Sequence, residues 1–157
     1  MNIKKILCLF LICGAANAHN IDPAKCNNEI QQDDVYWCLM DKYQQSVIAL
    51  KKEEINAQKR LERFDKNEGK ERGLNEDGTL AYDSNIHLAR ITFPELHRYF
   101  IIYREKQCGY ASLSIGSLSG YRVPISSLYC KTEMNISQIK WLNDYILRLL
   151  CARSSLL

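Results

Sequence analysis

Glycine and proline are sparse in this chain, with 7 and 3 residues among 157. The composition is otherwise ordinary, at 46% hydrophobic and 25% charged residues. Together these exclude a wholly disordered chain and a collagen-like one. A strong charge imbalance is also missing. The formal net charge is +3, which gives no electrostatic case for nucleic acid. No G-x-S-x-G, phosphate-loop, H-E-x-x-H or dinucleotide fingerprint occurs, so no cofactor is implied and no catalytic residue is nominated. Neither C-x-x-C nor H-x-x-x-H spacing is present, which argues against zinc. No period of 20–50 residues repeats, and the length suits one domain.

Long apolar runs are absent as well. The most apolar stretch is Ile6 to Cys13, far short of the roughly 20 residues that a membrane span needs. Lys4 and Lys5 precede it, and Ala16-Asn17-Ala18 follows as an A-x-A cleavage site. This is the three-part pattern of a secretory signal peptide over residues 1–18. A lipoprotein anchor at Cys13 fits poorly, because Ile12 stands where a small residue is needed. Cleavage leaves residues 19–157 as a single domain, periplasmic or secreted, with no membrane span. Losing Lys4 and Lys5 takes the charge from +3 to +1.

Cysteine is the one residue in excess, with seven in all. Cys8 and Cys13 leave with the signal peptide. Cys26, Cys38, Cys108, Cys130 and Cys151 remain, in a compartment that favours disulfides. Cys26 and Cys38 are close in sequence, and Cys108 and Cys130 flank a Ser/Gly-rich stretch. Local pairing is the simplest arrangement, although four cysteines admit three connectivities. Cys151 is left over. It is a buried or idle thiol, or the link of a disulfide-bonded dimer.

Periodicity predicts a small all-α bundle of at least three helices. The first spans about Asp33 to Asp65, with an apolar stripe at Tyr36, Leu39, Tyr43, Val47, Leu50, Ala57, Leu61 and Phe64. Asn67 to Asn85 read as a loop, with Gly69, Gly73 and Gly78 and the turn-forming Asn75-Glu76-Asp77-Gly78. A second helix starts near Pro94, since proline suits a first turn. Ile86 to Ile91 are left open, because Pro94 would kink a helix that ran through it. Tyr99, Phe100 and Tyr103 read as core. Ala111 to Ser127 read as a second loop, and the last helix as Leu128 to Ala152. Trp141 and Tyr145 would add aromatic area to the core.

Chemistry is sparse. His19, His87 and His97 are scattered, and Glu95 and Glu105 read as solvated acids rather than a catalytic pair. Asn135-Ile136-Ser137 is a glycosylation sequon inside a helix, and idle there. The acids Glu68, Glu71, Glu76 and Asp77 of the first loop, or Ser117 and Ser119 of the second, are candidate partner contacts.

His97-Arg98-Tyr99-Phe100-Ile101-Ile102-Tyr103-Arg104-Glu105-Lys106-Gln107-Cys108 looks like the pattern Q-x-x-W-x-x-[FY]-R-x-x-x-C. With Cys26 to Leu50 before it and Gly116 to Gly120 and Cys130 after it, the chain resembles the secreted bacterial LprI-like lysozyme-inhibitor family. His97 and Phe100 replace the usual Gln and Trp. Asn135 and Gln138 stand where the family tends to have Thr and Arg. The resemblance implies a helical, disulfide-stapled domain over residues 19–157, with His97, Phe100, Tyr103 and Arg104 as its structural motif. It also implies a non-enzymatic protein that binds a lysozyme-type enzyme. The rival expectation is an envelope or secreted interaction module for another protein. Arg104 is expected to pin a neighbouring loop or helix end through charge-assisted hydrogen bonds.

Overall fold

The computed structural model describes residues 20–71, 85–113 and 122–154, with side chains over 20–66, 86–113 and 122–149. A short 3-10 helix, Pro23–Asn28, leads into three α-helices: α1 (Gln32–Glu71), α2 (Asn85–Leu113) and α3 (Arg122–Ser154). The described residues contain no strand. The fold is therefore all-α and stapled twice, by Cys26–Cys38 and Cys108–Cys130. The proposed signal peptide lies outside the described residues.

Local chemistry starts each element. Asp22 caps the 3-10 helix by accepting from the Ala24 backbone N–H at 3.0 Å, and Pro23 fills the first helical position. Asp33 and Asp34 sit in the first turn of α1, where the helix dipole favours acids. The exposed face of α1 is laced by Gln45 donating to Asp41 at 2.7 Å and Gln58 donating to Glu62 at 3.1 Å, both across one turn.

Helix boundaries depart from the periodicity in three places. α1 runs on to Glu71 instead of stopping at Asp65. α2 begins at Asn85, so Ile86 to Ile91 are helical and Pro94 lies inside. Proline there removes a backbone hydrogen bond, at a cost of about 3 kcal/mol. Ile86 and Phe93 offset this by burying their side chains in the core. Arg90 and His87 add polar ties to Asp65 on α1. α3 begins at Arg122, six residues before Leu128. Pro124 falls in its first turn, where the missing N–H has no intrahelical partner to lose. Ile125 packs on a core cluster, which outweighs the weak helix preference of Ser126 and Ser127. Ala111 to Leu113 are the end of α2.

α1 and α3 share the widest interface, and α2 packs on both. The core has two apolar ends. One holds Leu39, Leu128 and the Cys26 half of the first disulfide, with Tyr36 and Tyr43 against them. The other holds Leu50, Ala57, Leu61, Ile86, Phe93, Ile139, Leu142 and Ile146, with Phe64 and Phe100 at its margin.

Three core expectations are corrected. Ser46, not Val47, faces inward and is fully buried. Tyr99 and Tyr103 are more than half exposed. Trp141 is also exposed, although Tyr145 stacks on it at 4.9 Å and touches the core. A 3.6-residue period locates a stripe but leaves its edges open by one residue.

Candidate functional site

Between the two apolar ends lies a polar layer. Ser46 of α1, Arg104 of α2, and Thr132 and Asn135 of α3 are all buried there. Arg104 Nη1 donates to Asn135 Oδ1 at 2.8 Å. Asn135 Nδ2 donates to Ser46 Oγ at 2.9 Å, and Ser46 Oγ donates to the Tyr43 carbonyl at 2.7 Å. The chain of donors joins all three helices. The Arg104 guanidinium also sits 5.9 Å from the Tyr43 ring centroid, a cation–π contact.

The outer side of Arg104 meets Glu105. Nη2 and Nε donate to Glu105 Oε1 at 2.7 and 3.2 Å. Lys131 of α3 meets Glu105 Oε2 at 2.6 Å. Partial burial pushes the Glu105 carboxyl up, but hydrogen bonds from Lys131 and Arg104 overcome it and leave the group below its usual range. The Cys108–Cys130 bridge lies one turn from Arg104 along α2 and fixes α2 against α3 at this level.

Toward the second apolar end, His97 of α2 faces Glu54 of α1. His97 Nδ1 and Glu54 Oε1 are in direct contact. Neither atom has a conventional hydrogen-bond partner, and the buried Gln58 Oε1 one turn along α1 also lacks one. Burial raises the Glu54 carboxyl from 4.5 to about 7, against the pull of Arg104. Burial and then Arg104 lower the His97 imidazole. Burial thus favours the neutral form of both groups.

A pH dependence follows. A carboxyl with a raised folded-state pKa stabilises most fully below 4.5, and that contribution is lost as pH rises through about 7. His97, with its lowered pKa, works in the opposite sense and withdraws stability as pH falls below 6.5. Glu54→Gln mimics the protonated acid. Its melting temperature should match the parent near pH 4 and exceed it above pH 7.5. Parallel melting curves across that window would rule out this titration.

Two open grooves flank α2. One, of about 390 Å³, lies against α1 and is lined by Glu54, Ile55, Gln58, Glu62, Phe93 and His97, with Lys59 and Pro94. The other, of about 310 Å³, lies against α3 and is lined by Leu96, Tyr99, Phe100, Tyr103, Gln138 and Trp141. Tyr103 is 58% exposed and Trp141 41%.

The motif residues therefore separate. Arg104 is buried in the polar layer, His97 lines the α1 groove, and Phe100 and Tyr103 line the α3 groove, Phe100 at the core margin. Glu95 accepts from the Tyr99 hydroxyl at 3.1 Å on the surface, away from Glu105. Asn135 is idle as a glycosylation site, since its amide is fully buried and bonded on both sides, but it ties the polar layer together. Glu68, Glu71 and Cys151 fall on helices, but their side chains are not described. Glu76, Asp77, Ser117 and Ser119 lie outside the described residues.

Ser46, Glu54, Gln58 and Asn135 carry the polar geometry, and sequence reasoning named only Asn135, through the resemblance, and none of the other three. Their signal was available: polar residues on or beside the apolar stripes of two helices. Among the described residues, no cluster of three or more His, Cys, Asp or Glu side chains could hold a metal ion. No described helix is long and apolar enough to cross a membrane. Comparison with protein-family models, with curated proteins and with solved structures found no match.

Proposed function

We propose that this chain is a non-enzymatic binding protein, periplasmic or secreted after loss of residues 1–18, that recognises a lysozyme-type enzyme and blocks it sterically. The observation that carries a binding role is the aromatic groove of Tyr99, Tyr103, Trp141 and Leu96. Exposed Trp and Tyr side chains held on rigid helices are the residues that dominate protein interfaces. Tyr145 stacks under Trp141 and holds it in place at low entropic cost. Two disulfides suit an oxidising compartment. The enzyme class comes from the LprI-like resemblance of the His97 to Cys108 segment. The acidic segment with Glu76 and Asp77 and the stretch with Ser117 and Ser119 are further proposed contacts.

The test is to titrate the oxidised chain, residues 19–157, into a cell-wall lysis assay with several lysozyme classes. Stoichiometric inhibition is expected. Tyr103→Ala with Trp141→Ala should weaken it by about 30-fold or more, the loss of a typical hot spot, while the melting temperature holds. Failure against every lysozyme class would overturn the target and favour an interaction module with another partner.

A further inference from the structure

We propose that the outer face of α2 pairs with the same face of a second copy of this chain, antiparallel across a two-fold axis. The face lies opposite the side of α2 that carries Ile86, Phe93, Arg104 and Cys108 into the core. Leu88, Ile91, Tyr99, Ile102, Tyr110 and Leu113 form it, each between 42% and 78% exposed. α2 is therefore apolar on both sides, whereas the exposed side of α1 carries Lys51, Lys52, Lys59 and Glu62. A helix apolar all round belongs in an interior, and a contiguous exposed patch of this kind marks an interface. Gly109 borders the face, one turn past Lys106. No described atom lies within 4 Å of a Cβ built there, so packing within the chain does not require glycine. Glycine inside a helix costs about 1 kcal/mol relative to alanine, and it lets another backbone come close.

The charges select the occupant. Glu95 and Lys106 are exposed within the same stripe. From Leu88 through Ile91, Glu95, Tyr99, Ile102, Lys106 and Tyr110 to Leu113 the steps are 3, 4, 4, 3, 4, 4 and 3 residues, the same in both directions. A two-fold axis between Tyr99 and Ile102 therefore sets Leu88 against the partner subunit's Leu113, and Ile91 against the partner subunit's Tyr110. It also sets Glu95 against the partner subunit's Lys106, twice by symmetry. Apolar side chains meet apolar ones and each charge meets its opposite, the self-complementarity that an isologous interface needs. A parallel pairing would stack Glu95 on Glu95 and Lys106 on Lys106, and like charges oppose it. Within the chain Glu95 meets the Tyr99 hydroxyl at 3.1 Å and Arg98 at 3.9 Å, and it stays 60% exposed, open to a further cation. Tyr99 borders the aromatic groove, but Tyr103 and Trp141 lie to the α3 side of the stripe. The dimer goes beyond the binding reading and does not depend on it.

The test is sedimentation equilibrium of the oxidised chain, residues 19–157, across the micromolar range. A reversible dimer with a dissociation constant of about 10 µM is expected, as suits one helix face at the low end of interface size. Glu95→Lys and Lys106→Glu should each weaken it at least about tenfold, because like charges then face each other at both symmetry-related places. Carrying both changes together should restore the parent's constant to within about threefold, since the pairs re-form with their signs exchanged. Far-UV circular dichroism of all three variants should match the parent, because both positions are exposed. A monomer at every concentration would overturn the proposal and leave the face to another part of the chain or to a different protein. A dimer indifferent to both single changes would place the interface elsewhere and overturn it. A loss that the double variant does not restore would overturn the antiparallel register. A dimer that vanishes on Cys151→Ser would be a disulfide product and would overturn it too.

Discussion

Replacing Arg104 with alanine is expected to lower the unfolding free energy by about 3 kcal/mol, within the range for breaking a buried charged network. Three losses combine. Asn135 Oδ1 loses the donor that satisfies it, which costs about 1–3 kcal/mol for a buried acceptor. The long side chain leaves a void between α2 and α3. Glu105 keeps Lys131 but loses two hydrogen bonds. That last term is the smallest, because Glu105 is 44% exposed and solvent screens it.

Urea unfolding measures the sum, and a second variant identifies its source. Arg104→Met together with Asn135→Leu removes the buried polar pair at once. It should lose less than the two single changes added, because no orphaned amide remains. A loss below about 1 kcal/mol for Arg104→Ala, with target binding abolished, would move Arg104 from scaffold to recognition.

Opening both disulfides should abolish the cooperative melt. The bridges span 12 and 22 residues of sequence. In the chain-entropy model each stabilises by about 3 kcal/mol. Their sum of about 6 kcal/mol compares with a total of about 5–15 kcal/mol for a typical domain. The Cys108–Cys130 pair should matter more than its loop length suggests. It holds α2 and α3 in register one turn from Arg104, so replacing both cysteines by alanine should couple to Arg104→Ala rather than add to it. Circular dichroism melts with and without reductant decide the first point, and a double-mutant cycle the second. An unchanged melt after full reduction would mean that packing alone holds the bundle.

How much of this was legible in the sequence varies by element. The class and the staples were, because an amphipathic period and local cysteine pairs are chain-local signals. Leu39, Leu50, Ala57 and Leu61 sit where their spacing puts them. The start of α2 was not legible. Pro94 argues locally for a boundary, and only the burial of Ile86 and Phe93 against α1 and α3 carries the helix through it. Ser126 and Ser127 likewise became helical because Ile125 found a core to pack on.

The site divides in the same way. Arg104 was singled out through the resemblance of its segment to the pattern [FY]-R-x-x-x-C, which ends at Cys108. Its partner Asn135 stands 31 residues along the chain, and Asn135 in turn is 89 residues from Ser46. No local pattern links them. Tyr99, Phe100 and Tyr103 all line one groove, yet Phe100 also packs on the core while the tyrosines stay exposed, because α3 covers only part of that face.

The sequence by itself determined the helical class, the two disulfide-bearing segments and the apolar stripes, since these depend on residues within a few turns of one another. Tertiary structure alone decided which polar residues meet in the middle of the bundle and which aromatics stay exposed. It also decided that Glu54 holds a proton to about pH 7. Those outcomes depend on desolvation and on partners brought by other helices, and neither exists until the three helices pack.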